Sequence, residues 1–203
     1  FDKNILLNKF NGQSAGTNPI GWNLFEGNGA IDITSSSLEG DRAVSISRLS
    51  SQNPSMSHYF PPQQDKITVE FLVRHNSGTG RARIEIEGAN DGYSFFNDYI
   101  IVKLYSGWIR NNDAQVVNYD LNAIYKIKIE VVPGANTYDL YVNDTLVGDN
   151  LPVFSTRNNV ARVSFTTENS NIGYIIDDVK VFLTDNICNV PQGNRNRVAV
   201  VMS

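Results

Sequence analysis

The sequence predicts an all-β protein in which two antiparallel sheets pack face to face. Apolar and polar residues alternate in several segments, which is the pattern of strands with one buried and one wet face. Clusters of Gly, Asn, Asp and Pro separate these segments, as tight turns require. No amphipathic helix of three turns is evident. About a dozen short strands of this kind in one chain are typical of a β-sandwich.

Four segments show the alternation most clearly. They are "KITVEFLVR" (66–74), "RARIEIE" (81–87), "YKIKIEVV" (125–132) and "ARVSFTT" (161–167). The polar sides of these segments carry six charged residues: Glu70, Arg83, Glu85, Lys128, Glu130 and Arg162. If the strands are neighbours, we expect one charged patch suited to hydroxyl groups or a uronate. Pairing of opposite charges across strands explains the same pattern.

The chain is predicted to hold one domain over residues 1–184. Within it, "VVPGANTYDLYVNDTLVGDNL" (131–151) predicts a meander of three strands joined by two turns. The alternation is lost after that domain, so residues 185–203 are interpreted as a C-terminal extension or linker. Because the chain begins at Phe1 rather than Met, we expect a processed or excised fragment.

Composition narrows the function classes. The net charge is −4 without a long run of one sign, so we expect no nucleic-acid partner. No apolar stretch is long enough to span a bilayer, so we expect no membrane partner. Cys188 is the one cysteine, which excludes an intramolecular disulfide. A reducing compartment and a bacterial secreted protein both fit that cysteine count.

The segment "GYIIDDVKVF" (173–182) contains an acidic pair inside an apolar strand. Neighbouring residues on a regular strand point to opposite faces, so Asp177 and Asp178 are not expected to form one paired site. An inward carboxylate needs partners. Three interpretations stay open: hydrogen bonds that tie the chain ends together, a calcium site with further oxygen ligands, and catalysis.

Several motifs in chain order carry a resemblance. They are "NKFNG…GTNPIGW", "GNGAIDI", "GDRAVSIS", "KITVEFLVR", "NTYDLYVNDTLVGDNLP" and "YIIDDVKVF". This order resembles the concanavalin A-like jelly rolls appended to bacterial polysaccharide-degrading enzymes, many of which are carbohydrate-binding modules. The resemblance implies a jelly-roll sandwich that binds sugar on a concave face or along a loop edge. It also implies a structural calcium near the chain ends, although Asn11 stands where an acidic residue is usual.

Aromatic and planar polar side chains supply the candidates for sugar binding, because aromatic faces contact sugar C–H groups. Two polar segments carry them: "NDGYSFFNDY" (90–99) and "YSGWIRNND" (105–113). Trp108 is predicted to lie in a short Ser-Gly turn, which favours a ligand platform over a core position, although a structural role that fills space explains it too. Trp22 is expected in the core. The predicted carbohydrate-binding residues are Trp108, Arg110, Tyr93, Arg83 and Glu85.

Catalysis on the same fold was the main alternative. Glu85 and Glu87 share one strand face at a separation of about 7 Å, which is compatible with glycoside hydrolysis. However, "RIEIEGAN" does not match the "E-x-D-x-x-E" motif of jelly-roll glucanases. A lyase would need a basic residue such as His58 or His75, but its motif strands are missing. His75 beside a Gly-rich turn is interpreted as a surface residue.

The sequence thus predicts a non-catalytic module that binds a polysaccharide or oligosaccharide, in a secreted or cell-surface bacterial protein with further domains. The pair Asp177 and Asp178 is the candidate for structural calcium. A polysaccharide lyase or glycoside hydrolase is the first alternative. A structural or adhesion module of a surface or phage protein is the second.

Overall fold

The alternating segments form strands, and the described residues contain no helix. The structure is a computed structural model that describes residues 3–36, 38–48, 52–76, 80–89, 96–168 and 172–184. Its strands are β1 (Lys3–Asn8), β2 (Asn23–Phe25), β3 (Gly29–Thr34), β4 (Ala43–Arg48), β5 (Ser55–Gln63), β6 (Ile67–His75), β7 (Arg81–Ala89), β8 (Phe96–Tyr105), β9 (Trp108–Asn111), β10 (Ala114–Asn118), β11 (Ile124–Val131), β12 (Thr137–Val142), β13 (Thr145–Pro152), β14 (Val160–Glu168) and β15 (Ile172–Leu183). Over these same ranges, no helix has the length and apolar character needed to cross a membrane.

Two antiparallel sheets are formed, as predicted. Sheet A has the order β13-β12-β11-β6-β15-β4-β3, and β1 also pairs with β15. Sheet B has the order β10-β9-β8-β7-β14-β5-β2. Cys188 and the rest of the predicted extension, residues 185–203, lie outside the described residues.

The core lies between the inner faces of the two sheets. Ile67, Val69, Phe71 and Val73 of β6 are all buried, which is the outcome that alternation predicts. Phe71 of sheet A meets Phe165 of sheet B edge to face, with ring centroids 5.2 Å apart. Each such buried side chain contributes about 1.5–3 kcal/mol of burial free energy. These contacts hold the two sheets together.

Trp22 belongs to this core, as expected. It lies just before β2 and packs against Phe10 and Phe165, with ring centroids 6.0 and 5.9 Å apart. The early segment of the chain is therefore anchored between the sheets, and it presents β2 at the edge of sheet B.

Two tight turns fix the register of the hairpins. Asn143 and Asp144 both have positive φ, the backbone that a two-residue hairpin turn requires, and they join β12 to β13 in the predicted meander. Ser106 and Gly107 make the same kind of turn between β8 and β9. Trp108 is therefore the first residue of β9 and not a turn residue.

Candidate functional site

A groove of about 420 Å³ crosses the outer face of sheet B over β2, β5, β14 and β7. Its volume is typical of sites for small ligands, which occupy about 300–1,000 Å³. The groove is lined by Asn23, Leu24, Phe25, Asn53, Ser55, Ser57, Tyr59, Arg83, Glu85, Arg162, Ser164, Thr166, Thr167 and Glu168.

Small hydroxyl side chains form the floor of the groove. Ser57 of β5 lies opposite Ser164 of β14, and Ser55 lies opposite Thr166. Directly opposed residues share a face of the sheet, so these four side chains lie together. The flanking strands carry long side chains on this face, and the short ones between them leave the depression. The register of β5 with β14 therefore creates the groove.

One wall of the groove is aromatic. Phe25 of edge strand β2 pairs with Ser55 and leaves 54% of its surface exposed. Tyr59 is 40% exposed, and its hydroxyl accepts a hydrogen bond of 3.2 Å from Arg162 Nη1. The Arg162 guanidinium lies 5.4 Å from the centre of the Tyr59 ring. This wall offers aromatic surface for the apolar face of a sugar.

The opposite wall is built around Arg83 of β7. Its guanidinium contacts three carboxylates: Nε lies 2.5 Å from Glu85 Oε1, Nη1 lies 2.5 Å from Glu168 Oε1, and Nη2 lies 2.8 Å from Asp98 Oδ2. Three ion pairs on one planar group fix its orientation. The wall therefore presents a rigid array of planar polar groups.

A second guanidinium closes one end of the groove. Arg162 donates to both oxygens of Glu87, with Nε 2.7 Å from Oε1, and Ser164 Oγ donates to the same Oε1 at 2.6 Å. Glu87 is only 1% exposed. A bulge between Ile86 and Glu87 in the pairing of β7 with β8 sets Glu87 opposite Asp98.

Three carboxylates crowd together under the two guanidinium groups. One oxygen each from Glu85, Glu87 and Asp98 lies within 4.8 Å of the others. Burial raises the pKa of Glu85 to about 7, Arg83 opposes that rise, and Asp98 and Glu87 add to it. For Glu168, burial acts in the same direction, but Arg83, Lys103 and Arg81 outweigh it and hold its pKa below the usual value. The wall thus combines an ionised carboxylate with one that titrates near neutrality.

Of the predicted sugar-binding residues, Arg83 and Glu85 line the groove, while Trp108 and Arg110 do not. Trp108 is half-buried on β9, two strands from β7, which corresponds to about 10 Å across the sheet. It lies opposite Tyr105, whose ring is covered by Arg81 and Arg110 at 4.6 and 5.4 Å. The prediction for Tyr93 falls outside the described residues.

The condition for a single charged patch is not met, because the strands belong to different sheets. Arg83, Glu85 and Arg162 lie on sheet B, whereas the strands of Glu70 and Glu130 lie in sheet A. The polar faces of the two sheets point away from each other across the core. Alternation identifies a wet face but carries no information about which strands become neighbours.

The acidic pair lies where β15 changes neighbours. Residues 172–176 pair with β4 and residues 179–183 pair with β1. Asp178 has a φ of 49°, and the pairing of β15 with β6 shifts register between Asp177 and Lys180. The bulge breaks the alternation on which the separation of the two side chains was predicted, and both aspartates are buried.

Contacts of the pair are those of a structural carboxylate. Asp177 Oδ2 accepts hydrogen bonds from the amides of Leu38 and Glu39 at 3.3 and 3.0 Å, and its Oδ1 accepts one from the Asp178 amide at 2.7 Å. Asp178 pairs with Lys180 at 2.7 Å and with Lys9 of the N-terminal segment at 3.7 Å. A calcium ion needs carboxylate oxygens that face it. Both oxygens of Asp177 already accept amide hydrogen bonds, whereas Asp178 Oδ1 is buried without a hydrogen-bond partner. Calcium binding by the protein stays a prediction.

His75 is not the surface residue that its position beside a Gly-rich turn predicted. It is 1% exposed, and its Nδ1 forms a short hydrogen bond with the hydroxyl of Tyr119. Burial lowers the pKa of His75 to about 4. The residues after β10 fold back over the end of β6, where the Asn122 amide donates to the His75 carbonyl, and this packing buries the imidazole.

Sequence reasoning missed the aromatic wall and the floor. Phe25 lies in a strand of three residues, too short for alternation to show its face. In "SMSHYF", Met56 and Phe60 are buried beside Ser55 and Tyr59, but Ser57 is buried too and His58 is half-buried. Local alternation therefore does not mark Ser55, Ser57 and Tyr59 as one outward row. Their place opposite β14 depends on long-range pairing and could not be predicted locally.

No protein-family model matches this sequence, and no curated protein matches it. Solved structures do share its fold. A sialidase superposes with a TM-score of 0.72 at 16% identity, over 89% of this chain and 18% of the sialidase. The globular domain of T. cruzi calreticulin gives a TM-score of 0.57 at 12% identity, over 88% of this chain and 87% of that domain.

The CBM22-1 xylan-binding domain of Paenibacillus barcinonensis Xyn10C gives a TM-score of 0.51 at 9% identity, over 89% of this chain and 94% of that domain. With the two antiparallel sheets, these likenesses confirm the predicted jelly-roll β-sandwich. At such identities they establish the fold alone. The chain spans about a fifth of the length of the sialidase.

Proposed function

We propose that this protein is a non-catalytic carbohydrate-binding module whose ligand lies in the groove over sheet B. The observation that carries the proposal is the composition of that groove: a hydroxyl floor, the exposed Phe25 on one wall, and the Arg83–Glu85 array on the other. Sugars have apolar C–H faces and many hydroxyls, so they need this mixture. The shared fold with a xylan-binding domain supports the proposal without identifying the glycan.

Each part of the groove has a separate task in this proposal. Phe25 packs against the apolar face of a sugar ring. In the described part of the chain, the hydroxyls of Ser55 and Ser57 have no hydrogen-bond partner, so they can donate to and accept from sugar hydroxyls. From Ser55 to Tyr59 the floor runs for about 13 Å, which accommodates a short stretch of oligosaccharide.

The first test is binding to a panel of polysaccharides, including xylan, mixed-linkage β-glucan and cellulose, measured by affinity electrophoresis and then by calorimetry. We expect at least one glycan to retard the folded protein. If the folded protein is retained on none of a broad panel, the proposal is wrong, and a structural or adhesion role gains support.

The second test uses Phe25→Ala with Phe154→Ala as its matched control. Both phenylalanines are 54% exposed, but Phe154 does not line the groove. Loss of an aromatic contact costs about 1.5 kcal/mol or less, so we expect Phe25→Ala to weaken binding by about tenfold. Phe154→Ala should bind as the wild type does. Equal losses in the two variants would mean that the ligand does not bind in this groove.

Glycoside hydrolysis is a second candidate, favoured by the pKa of Glu85. A carboxyl group that titrates near 7 is suited to general acid catalysis. Glu168, which pairs with the same Arg83 guanidinium as Glu85, would be the second carboxylate. Release of reducing sugar by the wild type, together with its loss in Glu85→Gln, would establish this activity. A Glu85→Gln variant that binds glycan while the wild type releases no product would support the non-catalytic module.

An extracellular location and attachment to further domains belong to the same proposal. A structural calcium ion at the pair Asp177 and Asp178 is also proposed, and the unpartnered Asp178 Oδ1 supports it. The melting temperature measured with EDTA and with excess calcium tests it: a rise on adding calcium supports the ion, and identical values contradict it.

A further inference from the structure

The cations of the groove are already neutralised by carboxylates of the protein. Arg83 donates hydrogen bonds from Nη1 to Glu168 and from Nη2 to Asp98, and its Nε lies within ion-pair distance of Glu85. A carboxylate on a ligand would have to displace one of these at the guanidinium. The displaced group would then lie beside the incoming charge, since Glu85 and Glu168 line the groove and Asp98 contacts the same guanidinium.

Arg162 is committed in the same way. It binds both oxygens of Glu87, and its remaining Nη1 donates to the Tyr59 hydroxyl. Because Glu87 is almost fully buried, separating it from Arg162 would leave a charge without compensation inside the protein. Arg162 therefore cannot turn toward a ligand carboxylate without a large loss.

The two further cations at the rim are paired as well. Arg81 contacts Glu168 at 3.3 Å and Asp113 at 3.9 Å, and its guanidinium lies over the Tyr105 ring. Lys103 contacts Asp113 at 3.2 Å and Glu168 at 3.5 Å. Glu168 thus shares its charge among three cations, and it holds this side of the groove electrically balanced.

We propose that the groove selects uncharged glycans and rejects glycans that carry carboxylates, such as uronates and sialates. This inference rests on the proposed carbohydrate binding. A neutral hydroxyl can donate to the Glu85 or Glu168 carboxylate, since an oxygen accepts more than one hydrogen bond, and it can accept from Ser55 and Ser57 without breaking an ion pair. A carboxylate can only accept, and the groove offers it cations that are already occupied. The rejection is thus electrostatic and does not depend on the size of the groove.

The direct test compares chemically matched ligands on the wild-type protein. Each acidic polysaccharide, among them polygalacturonate, alginate and hyaluronan, is compared with its carboxyl-reduced form. Any neutral hexose polymer that binds is compared with its C6-oxidised form, in which primary alcohols become carboxylates. We expect the neutral member of each binding pair to have an affinity about tenfold or more above that of the acidic member.

A variant with one carboxylate fewer is expected to shift the preference from neutral toward acidic glycans. Glu168→Gln removes the carboxylate shared by Arg83, Arg81 and Lys103, so the groove gains uncompensated positive charge. We expect the ratio of acidic to neutral affinity to rise by about tenfold. Glu130→Gln is the matched control, because Glu130 pairs with Lys66 and Lys128 on sheet A. That control should leave the ratio unchanged.

The outcomes separate the two proposals. If the best ligand is acidic and carboxyl reduction weakens its binding, the selectivity is wrong while carbohydrate binding stands. If no glycan of either charge binds, the proposed function itself is wrong. If Glu168→Gln does not fold, Asp98→Asn is used instead, because it removes the carboxylate that pairs with Arg83 Nη2. An unchanged ratio of acidic to neutral affinity in that folded variant would contradict the proposal that paired cations cause the rejection.

Discussion

The outer faces of the two sheets are built from the same alternation yet differ in what they offer a ligand. On sheet A, Lys66 and Lys128 both reach Glu130, at 2.7 and 2.8 Å, and Lys126 and Lys180 approach Glu70 at 3.4 and 3.3 Å. Around Glu70, the long side chains of Lys126 and Lys180 fill most of the space. The cavity bounded by Glu70, Lys126 and Lys180 measures about 90 Å³, and a second cavity on sheet A, beside Lys66 and Glu130, measures about 310 Å³. The groove of sheet B is larger than either, at about 420 Å³.

Side-chain length explains the difference. On sheet B, two neighbouring strands, β5 and β14, carry Ser and Thr where sheet A carries Lys and Glu. The charged groups of β7 and the aromatic group of β2 then stand at the edges of a depression. A polar strand face becomes a candidate binding surface when short side chains on adjacent strands leave room between long ones.

The largest expected effect is the loss of stability on breaking the buried ion pair of sheet B, which we compare with that of an exposed pair on sheet A. Glu87→Gln leaves the Arg162 guanidinium without its carboxylate in a largely buried position, so we expect the free energy of unfolding to fall by about 3 kcal/mol. Urea denaturation followed by circular dichroism measures this loss. A loss below that of an exposed pair would mean that Arg162 finds solvent and that this end of the groove is not rigid.

The pH dependence of stability is the next largest effect, and it involves Glu85 of sheet B. Its pKa rises from an ordinary 4.5 to about 7, so the folded state holds more protons than the unfolded state between these values. Stability from this group therefore falls as the pH rises, by about 2 kcal/mol between pH 5 and 7. Between pH 5 and 7, the free energy of unfolding of Glu85→Gln should therefore rise by that amount relative to the wild type. Denaturation curves recorded at each pH measure this difference.

A buried imidazole acts in the opposite direction and must be separated from this effect. The pKa of His75 falls from 6.5 to about 4, so its contribution to stability is complete above 6.5 and is lost as the pH falls toward 4. The wild type alone therefore shows a shallow net dependence. Subtracting the curve of the wild type from that of Glu85→Gln cancels His75, and a flat difference would contradict the raised pKa of Glu85.

The smallest expected effect lies on sheet A. Glu130→Gln removes two exposed or half-buried ion pairs, each worth about 1 kcal/mol or less, and their contribution is screened by salt. We expect a loss of about 1 kcal/mol at low ionic strength that shrinks in 1 M NaCl, measured by thermal denaturation. A loss as large as that of Glu87→Gln would remove the distinction between the two faces.

The alternation of apolar and polar residues predicted much of the fold, because it shows within each strand which side chains are buried. "KITVEFLVR" and "RARIEIE" became β6 and β7 with their apolar residues inside. The same rule failed at Asp177 and Asp178, where a bulge turns the backbone. At His75 alternation places the side chain inward with Val73, but the adjacent turn led to the surface prediction, and a distant loop covers the imidazole. A bulge and a covering loop depend on residues far away in the sequence.

The candidate site was predicted only in part for the same reason. Arg83 and Glu85 were found because they belong to one strongly alternating strand. Phe25, Tyr59 and the serines became part of the site through the pairing of β2, β5 and β14. Trp108 was chosen by residue type, and the structure places it two strands away.

The sequence by itself determined that the chain forms strands, which side of each strand is wet, and where the tight turns lie, because these properties depend on residues one to four positions apart. Only the tertiary structure decided which wet faces become neighbours. Residues 58 to 143 positions apart, namely Phe25, Arg83 and Glu168, meet at one groove through long-range pairing. Burial of two apolar faces against each other selects that pairing, and the groove follows from it.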